Sequence, residues 1–147
     1  MVVLRELKTN KDVKLFGTYK LEMIKYHQQY ANKLGLQDRV VDEYSYEDAI
    51  KHIVKSSYHQ FLIVDDACPV GMLEYQLSTS DIDGMPILYV KGIYIEELSR
   101  GKGLGRAAIN ELRRIGYRIE LECWYGMPAN DVYKALGAKE IKTRYIL

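Results

Sequence analysis

The sequence predicts an α/β (α+β) domain in which one mixed, twisted sheet carries helices on both faces. Three observations predict it. Segments rich in β-branched and aromatic residues alternate with segments whose apolar residues recur at helical spacing, in the order β-α-α-β-β-β-α-β-α-β. Two strands in the middle of that order read as a hairpin, whereas the later strands are separated by helices, so antiparallel and parallel pairing meet in one sheet. A single stretch, residues 93–108, passes from strand to glycine loop to helix without an interruption of pattern.

A chain of 147 residues, 48% hydrophobic and 28% charged, is long enough for one core, and a single domain over residues 1–147 is expected. Its 21 Lys and Arg nearly balance 20 Asp and Glu, so no global field points to nucleic acid or to an anionic membrane surface. Cys68 and Cys123 lie in no C-x-x-C or Cys/His spacing, which argues against a metal site and for a reducing compartment. With no apolar leader and no run near the ~20 residues of a membrane span, a cytoplasmic protein is expected.

Residues 2–7 form the first predicted strand. Asn10 offers a cap to a helix whose apolar positions, among them Phe16, Tyr19, Met23 and Tyr30, continue to Leu34 and Gly35; Gly17 marks a point for a bend or break. Residues 45–48 imitate a capping box before a second helix to about residue 57. Residues 61–64 and 70–77 make the hairpin around a turn at 65–69. The strand at 87–95 contains Gly92, a signal of a bulge or a close approach, and a strand splayed there would offer backbone groups to something extended. A helix at 103–115 ends at Gly116, a strand follows at 119–124, a short helix at 129–136 is closed by Gly137, and residues 138–147 read as a terminal strand.

Gly101, Gly103 and Gly105 alternate with Lys102, Leu104 and Arg106 at the strand-to-helix junction, with Arg100 just before them. Glycines let the backbone turn with positive φ and let a ligand come close, and the unpaired first-turn amides of the following helix face the same concavity. Together with three cations this is an anion site, suited to phosphate or pyrophosphate. Residues 103–108 also fit G-x-G-x-x-G/A with Glu122 about twenty positions on, so a dinucleotide-binding oxidoreductase is a second reading, although the fingerprint does not follow its strand directly. No Walker loop occurs.

Residues 100–105, R-x-x-G-x-G, resemble the acyl-coenzyme A signature of the GNAT superfamily of N-acetyltransferases. The short helix near the end resembles a second motif of that family, N-x-x-A-x-x-x-Y-x-x-x-G-[FA], through Ala129, Tyr133, Gly137 and Ala138, with Gly126 standing where Asn is usual and Asn130 nearby. The resemblance implies a GNAT-type central sheet of six or seven strands with four helices, and acetyl-CoA as co-substrate. It implies that the pantetheine arm lies along Ile93, Tyr94 and Ile95, and that Arg100, Gly101, Lys102, Gly103, Leu104, Gly105 and Arg106 hold the pyrophosphate. Asn130 is the candidate for the missing Asn contact, and Tyr133 contacts the cofactor and protonates the departing thiolate. The acceptor implied is a small-molecule amine or a peptide amine, and one terminal strand where the family often has two points to a homodimer that completes the sheet. A non-catalytic acyl-CoA-binding module of the same fold is the alternative within the family.

Direct acetyl transfer needs a polarised thioester, a deprotonated amine and a proton for the sulfur. A phenol with a pKa near 10 is a competent acid toward a thiolate. No general base is assigned: Glu74, Glu96, Glu97 and Glu122 read as surface charges, and His27, His52 and His59 are scattered. Tyr19, Glu22, Tyr26 and Tyr30 share one helical face and read either as a core stripe or as an aromatic wall for an ammonium group.

Overall fold

The computed structural model describes residues 1–37 and 57–147, so the predicted second helix, but for its last residue, and His52 lie outside the described residues. Five strands, β1 (Val2–Glu6), β2 (His59–Asp65), β3 (Cys68–Thr79), β4 (Pro86–Ile95) and β5 (Arg118–Leu121), make one sheet in sequence order. The first three pairings are antiparallel and β4–β5 is parallel. Three α-helices accompany them among the described residues: α1 (Asn10–Lys33), α2 (Leu104–Arg113) and α3 (Ala129–Ala135).

α1 starts one residue earlier than its sequence signal. Thr9, not Asn10, is the N-cap: the Asp12 amide donates to Thr9 Oγ1 at 3.1 Å, while Asp12 Oδ2 accepts from the amides of Thr9 (3.4 Å) and Lys8 (3.1 Å). The Lys8 amide, with Arg5 at 2.9 Å, holds the Asp12 carboxyl below the usual aspartate range. Gly17 is buried and the helix runs through it unbroken.

The helices bury two different cores against the two faces of the sheet. On one face Leu104, Ala108, Ile109 and Leu112 of α2 meet Ile63, Leu73, Leu88 and Val90. On the other, Phe16, Tyr19 and Met23 of α1 meet Leu62, Val64, Met72 and Tyr94. The strand alternation of 62/64 against 63, and of 72 against 73, sorts these side chains.

Two expectations are corrected. Among the described residues the sheet has five strands rather than six or seven, and residues 138–147 are exposed and carry no regular structure. β-branched and aromatic residues favour a strand only when a neighbour takes their hydrogen bonds, and no backbone bond joins this segment to β5. β5 is itself shorter than predicted and ends at Leu121.

Candidate functional site

β4 changes partners along its length. Ile87 to Val90 pair with β3 on one side and with Arg118 to Leu121 on the other; beyond Val90 the β5 register stops. Glu74 lies opposite Gly92 and Tyr75 opposite Val90, so Lys91 is the extra residue of a bulge that bends the strand. A Cβ on Gly92 would stand 2.9 Å from Met23 Cε and 3.0 Å from its Sδ, so with glycine here the end of the Met23 side chain from α1 lies directly on the bend.

Past the bulge the strand has one free edge. The Glu96 amide donates to Val70 O at 2.9 Å, which makes Val70/Glu96 and Met72/Tyr94 the pairs that exchange bonds across the antiparallel ladder. The N–H and C=O of Ile93 and Ile95 therefore point off β3, into the gap where β5 has ended. Of the three residues expected to meet an extended ligand, Ile93 turns both backbone groups off β3 and Ile95 its N–H, its carbonyl being taken by Arg100 Nε, whereas Tyr94 pairs with β3 and buries its ring against α1.

A single 3₁₀ turn (Glu97–Ser99) leads into the glycine loop. Gly101 and Gly103 have φ of 78° and 77°, and nothing lies within 4 Å of where a Cβ on either would stand. Any side chain there would fill an open cradle. The first intrahelical bond of α2 runs from the Ala107 amide to Gly103 O at 3.0 Å, and the helix has no side-chain cap, so the amides of Leu104, Gly105 and Arg106 are unpaired at its positive end. Lys102 and Arg106 are exposed and make no hydrogen bond or ion pair among the described residues. Leu104 is buried and anchors the helix start in the core.

Arg100 is folded back from the loop. Its Nε donates to Ile95 O at 2.9 Å, and its guanidinium carbon lies 4.3 Å from the Tyr26 ring centre and 5.1 Å from that of Tyr94. Burial first, and the Glu22 carboxylate second, raise the Tyr94 phenol above its ordinary value, against the lowering effect of Arg100. Tyr19 Oη lies 3.1 Å from Glu96 Oε2 and 3.2 Å from Pro69 O, and Ser99 Oγ donates to Glu96 Oε1 at 2.9 Å. The two readings of the α1 stripe thus meet: Tyr19 and Tyr26 pack against Tyr94, and the cation over the aromatic wall is this chain's own arginine. Tyr26 is pushed up to about 12, by burial first and by its bond to Tyr30 second.

Tyr133, on α3, packs half-buried against the α2-face core, and burial raises its phenol above the usual value of 10, with Cys123 a lesser cause. Cys123 is likewise raised by burial. Asn130 closes the turn before its helix, its Nδ2 donating to Trp124 O (2.9 Å) and Met127 O (3.0 Å).

One buried group was read from sequence as a surface charge. Glu74 is 3% exposed and accepts from Lys20 Nζ at 3.1 and 3.2 Å and from Gln60 Nε2 at 3.1 Å. The signal was present in the pattern: Lys20 falls four residues after Phe16 on the inner side of α1, and Glu74 falls two after Met72 on the same strand face. Glu96 is also committed, to Tyr19 and Ser99, while Glu97 and Glu122 are exposed. Among the described residues no group of three or more His, Cys, Asp or Glu is placed to hold a metal, and no helix is long and apolar enough to cross a membrane.

A family model described as the acetyltransferase (GNAT) family matches residues 21–138. The chain belongs to the GNAT acetyltransferase family. No curated protein matches it. Among solved structures, an integron cassette protein from the mobile metagenome of V. cholerae is similar with a TM-score of 0.68 at 19% identity, covering 99% of this chain and 91% of its own. A possible acetyltransferase from Clostridium difficile 630 is similar with a TM-score of 0.66 at 14% identity, over 100% and 96% of the two chains. The aminoglycoside N-acetyltransferase AAC(6')-Iy, solved in complex with CoA, gives 0.68 at 13% identity over 100% and 93%. These likenesses establish the GNAT fold. The fold also removes the dinucleotide-binding reading, since a sheet in sequence order with three antiparallel pairings contains no doubly wound parallel halves.

Proposed function

We propose that this chain is an acetyl-CoA-dependent N-acetyltransferase that carries an acetyl group to a primary amine by direct attack in a ternary complex. The observation that carries the reading is the continuity of the free β4 edge at Ile93 and Ile95 with the open glycine cradle at the start of α2. An extended arm with amide groups fits the first, and a pyrophosphate fits the second. A CoA complex of AAC(6')-Iy and a complex of the same enzyme with the bisubstrate analogue CoA-S-monomethyl-acetylneamine support both the cofactor and an acceptor of the small-amine class.

Acetyl-CoA bound there supplies the acyl group as an activated thioester. The Ile93 and Ile95 backbones orient its arm, with Tyr94 holding the strand against α1. The amides of Gly101, Gly103, Leu104, Gly105 and Arg106 receive the pyrophosphate, joined by the charges of Lys102 and Arg106, while Arg100 fixes the root of the loop and Asn130 the turn before α3. Tyr133 Oη keeps its proton throughout the neutral range, because its ordinary value is near 10 and burial moves it upward. It is the group in α3 suited to deliver that proton to the departing sulfur.

Calorimetric titration with acetyl-CoA, CoA and NADH, followed by an assay over a panel of amines, tests the reading. Micromolar acetyl-CoA affinity that Gly103→Asp abolishes, and a kcat lowered about a hundredfold or more by Tyr133→Phe at unchanged acetyl-CoA affinity, are the expected results. Absence of CoA binding, or preference for NADH, overturns it. CoA binding with no acetylated amine leaves a binding module of the same fold, and turnover indifferent to Tyr133→Phe removes Tyr133 as the proton donor.

A further inference from the structure

We infer that Arg100 is a positioning residue that aims the free edge of β4 from α1, rather than a ligand of the pyrophosphate. The inference rests on the coenzyme A reading above and concerns which part of the cofactor this side chain serves. Ile95 is the last residue of the edge, and its carbonyl points off β3 into the gap. Arg100 Nε takes that carbonyl at 2.9 Å, closing a five-residue bridge over the 3₁₀ turn.

Two further contacts hold the guanidinium there. Its central carbon lies over Tyr26 at 4.3 Å and by Tyr94 at 5.1 Å from the ring centres. Tyr26 stands on α1, so the helix addresses the strand end through one arginine. Tyr19, two turns earlier on α1, bonds the next residue, Glu96. Lysine cannot replace this geometry, since it has no planar fork and no Nε–H held in plane with a stacking face. Lys102 and Arg106, exposed beside the cradle, are the cations left to the phosphates.

The two roles separate on a truncated cofactor. S-acetylpantetheine carries the arm that lies on the β4 edge but lacks the pyrophosphate. Affinities of the full chain for acetyl-CoA and for S-acetylpantetheine are compared for the native protein and for Arg100→Ala, Arg100→Lys and Tyr26→Leu, with thermal melting to confirm folding. The expected result is that Arg100→Ala weakens both ligands by the same factor, about tenfold for one lost hydrogen bond to a charged donor. Arg100→Lys fails to rescue either, and Tyr26→Leu, which touches no cradle residue, lowers both in the same ratio. Lys102→Ala weakens acetyl-CoA alone. Loss confined to acetyl-CoA in Arg100→Ala, rescue by lysine, or unchanged affinity for both ligands overturns the inference. If Arg100→Ala unfolds, the Arg100→Lys and Tyr26→Leu ratios decide it. Failure of the native protein to bind either ligand is a different result and overturns the coenzyme A reading itself.

Discussion

On the α2 face, β4 is held by hydrocarbon: Leu88 and Val90 meet Leu104, Ala108, Ile109 and Leu112, and the glycine cradle hangs from the buried Leu104. On the α1 face the same strand is held by polar side chains set among apolar ones, with Tyr19 on Glu96, Arg100 over the Tyr26 and Tyr94 rings, and Lys20 on Glu74 one strand away. Apolar packing is non-directional and fixes where the strand lies. Hydrogen bonds are directional and fix how its end is turned. The difference explains why the loop motif and its helix sit on one side of the sheet while the groups that orient the motif come from the other.

The comparison can be broken at its most polar point first. Lys20→Met leaves the Glu74 carboxylate buried with only Gln60 for company, and urea denaturation should show a loss of about 3–5 kcal/mol, most of it recovered by adding Glu74→Gln. A loss under 1 kcal/mol would mean that the α1 face is not held by its charges. Leu112→Ala probes the opposite face. Leu112 is fully buried, so about 3 kcal/mol should go with its cavity, and acetyl-CoA affinity at a temperature where the variant is folded should change less than threefold. A binding defect larger than the stability defect would show that the α2 face orients the site as well as supporting it.

Smaller effects sharpen the picture of α1. Thr9→Ala removes one half of the capping box and should lower stability by about 1 kcal/mol, read as a fall in melting temperature. His27, also on α1, is pushed below its ordinary 6.5 by burial, so the unfolded chain takes up a proton first as the pH falls. Its contribution is complete above about pH 6.5 and is lost progressively below it, and His27→Gln should flatten that part of the stability profile. A profile whose slope between pH 5 and 7 is unchanged in the variant would assign the dependence elsewhere.

Much of this was legible in residues 93–108, because positive-φ glycines, helix-start amides and the strand before them leave a mark at short range. The bulge was legible in Gly92 for the same reason. The root of the loop was not. Arg100 reads as a phosphate cation by sequence neighbourhood, and only the long-range approach of Tyr26 across the sheet reveals what holds it. Glu74 was missed for a related reason, since an isolated charge in a strand is read as exposed unless its partner, 54 positions away, is known. Thr9 and Asn10 are both good caps, and composition cannot choose between adjacent ones; the carboxylate of Asp12, three residues after Thr9, decides. Residues 138–147 had the composition of a strand and lack the neighbour that would make them one.

The central claim is that the backbone edge at Ile93 and Ile95 and the cradle at 101–106 form one continuous site. Residue-resolved amide hydrogen exchange with and without CoA tests it most directly. Strong new protection is expected at the Ile93 and Ile95 amides together with those of Gly101, Gly103, Gly105 and Arg106, with little change in β1 and β2. Protection of the loop without the strand edge, or of neither, would contradict it.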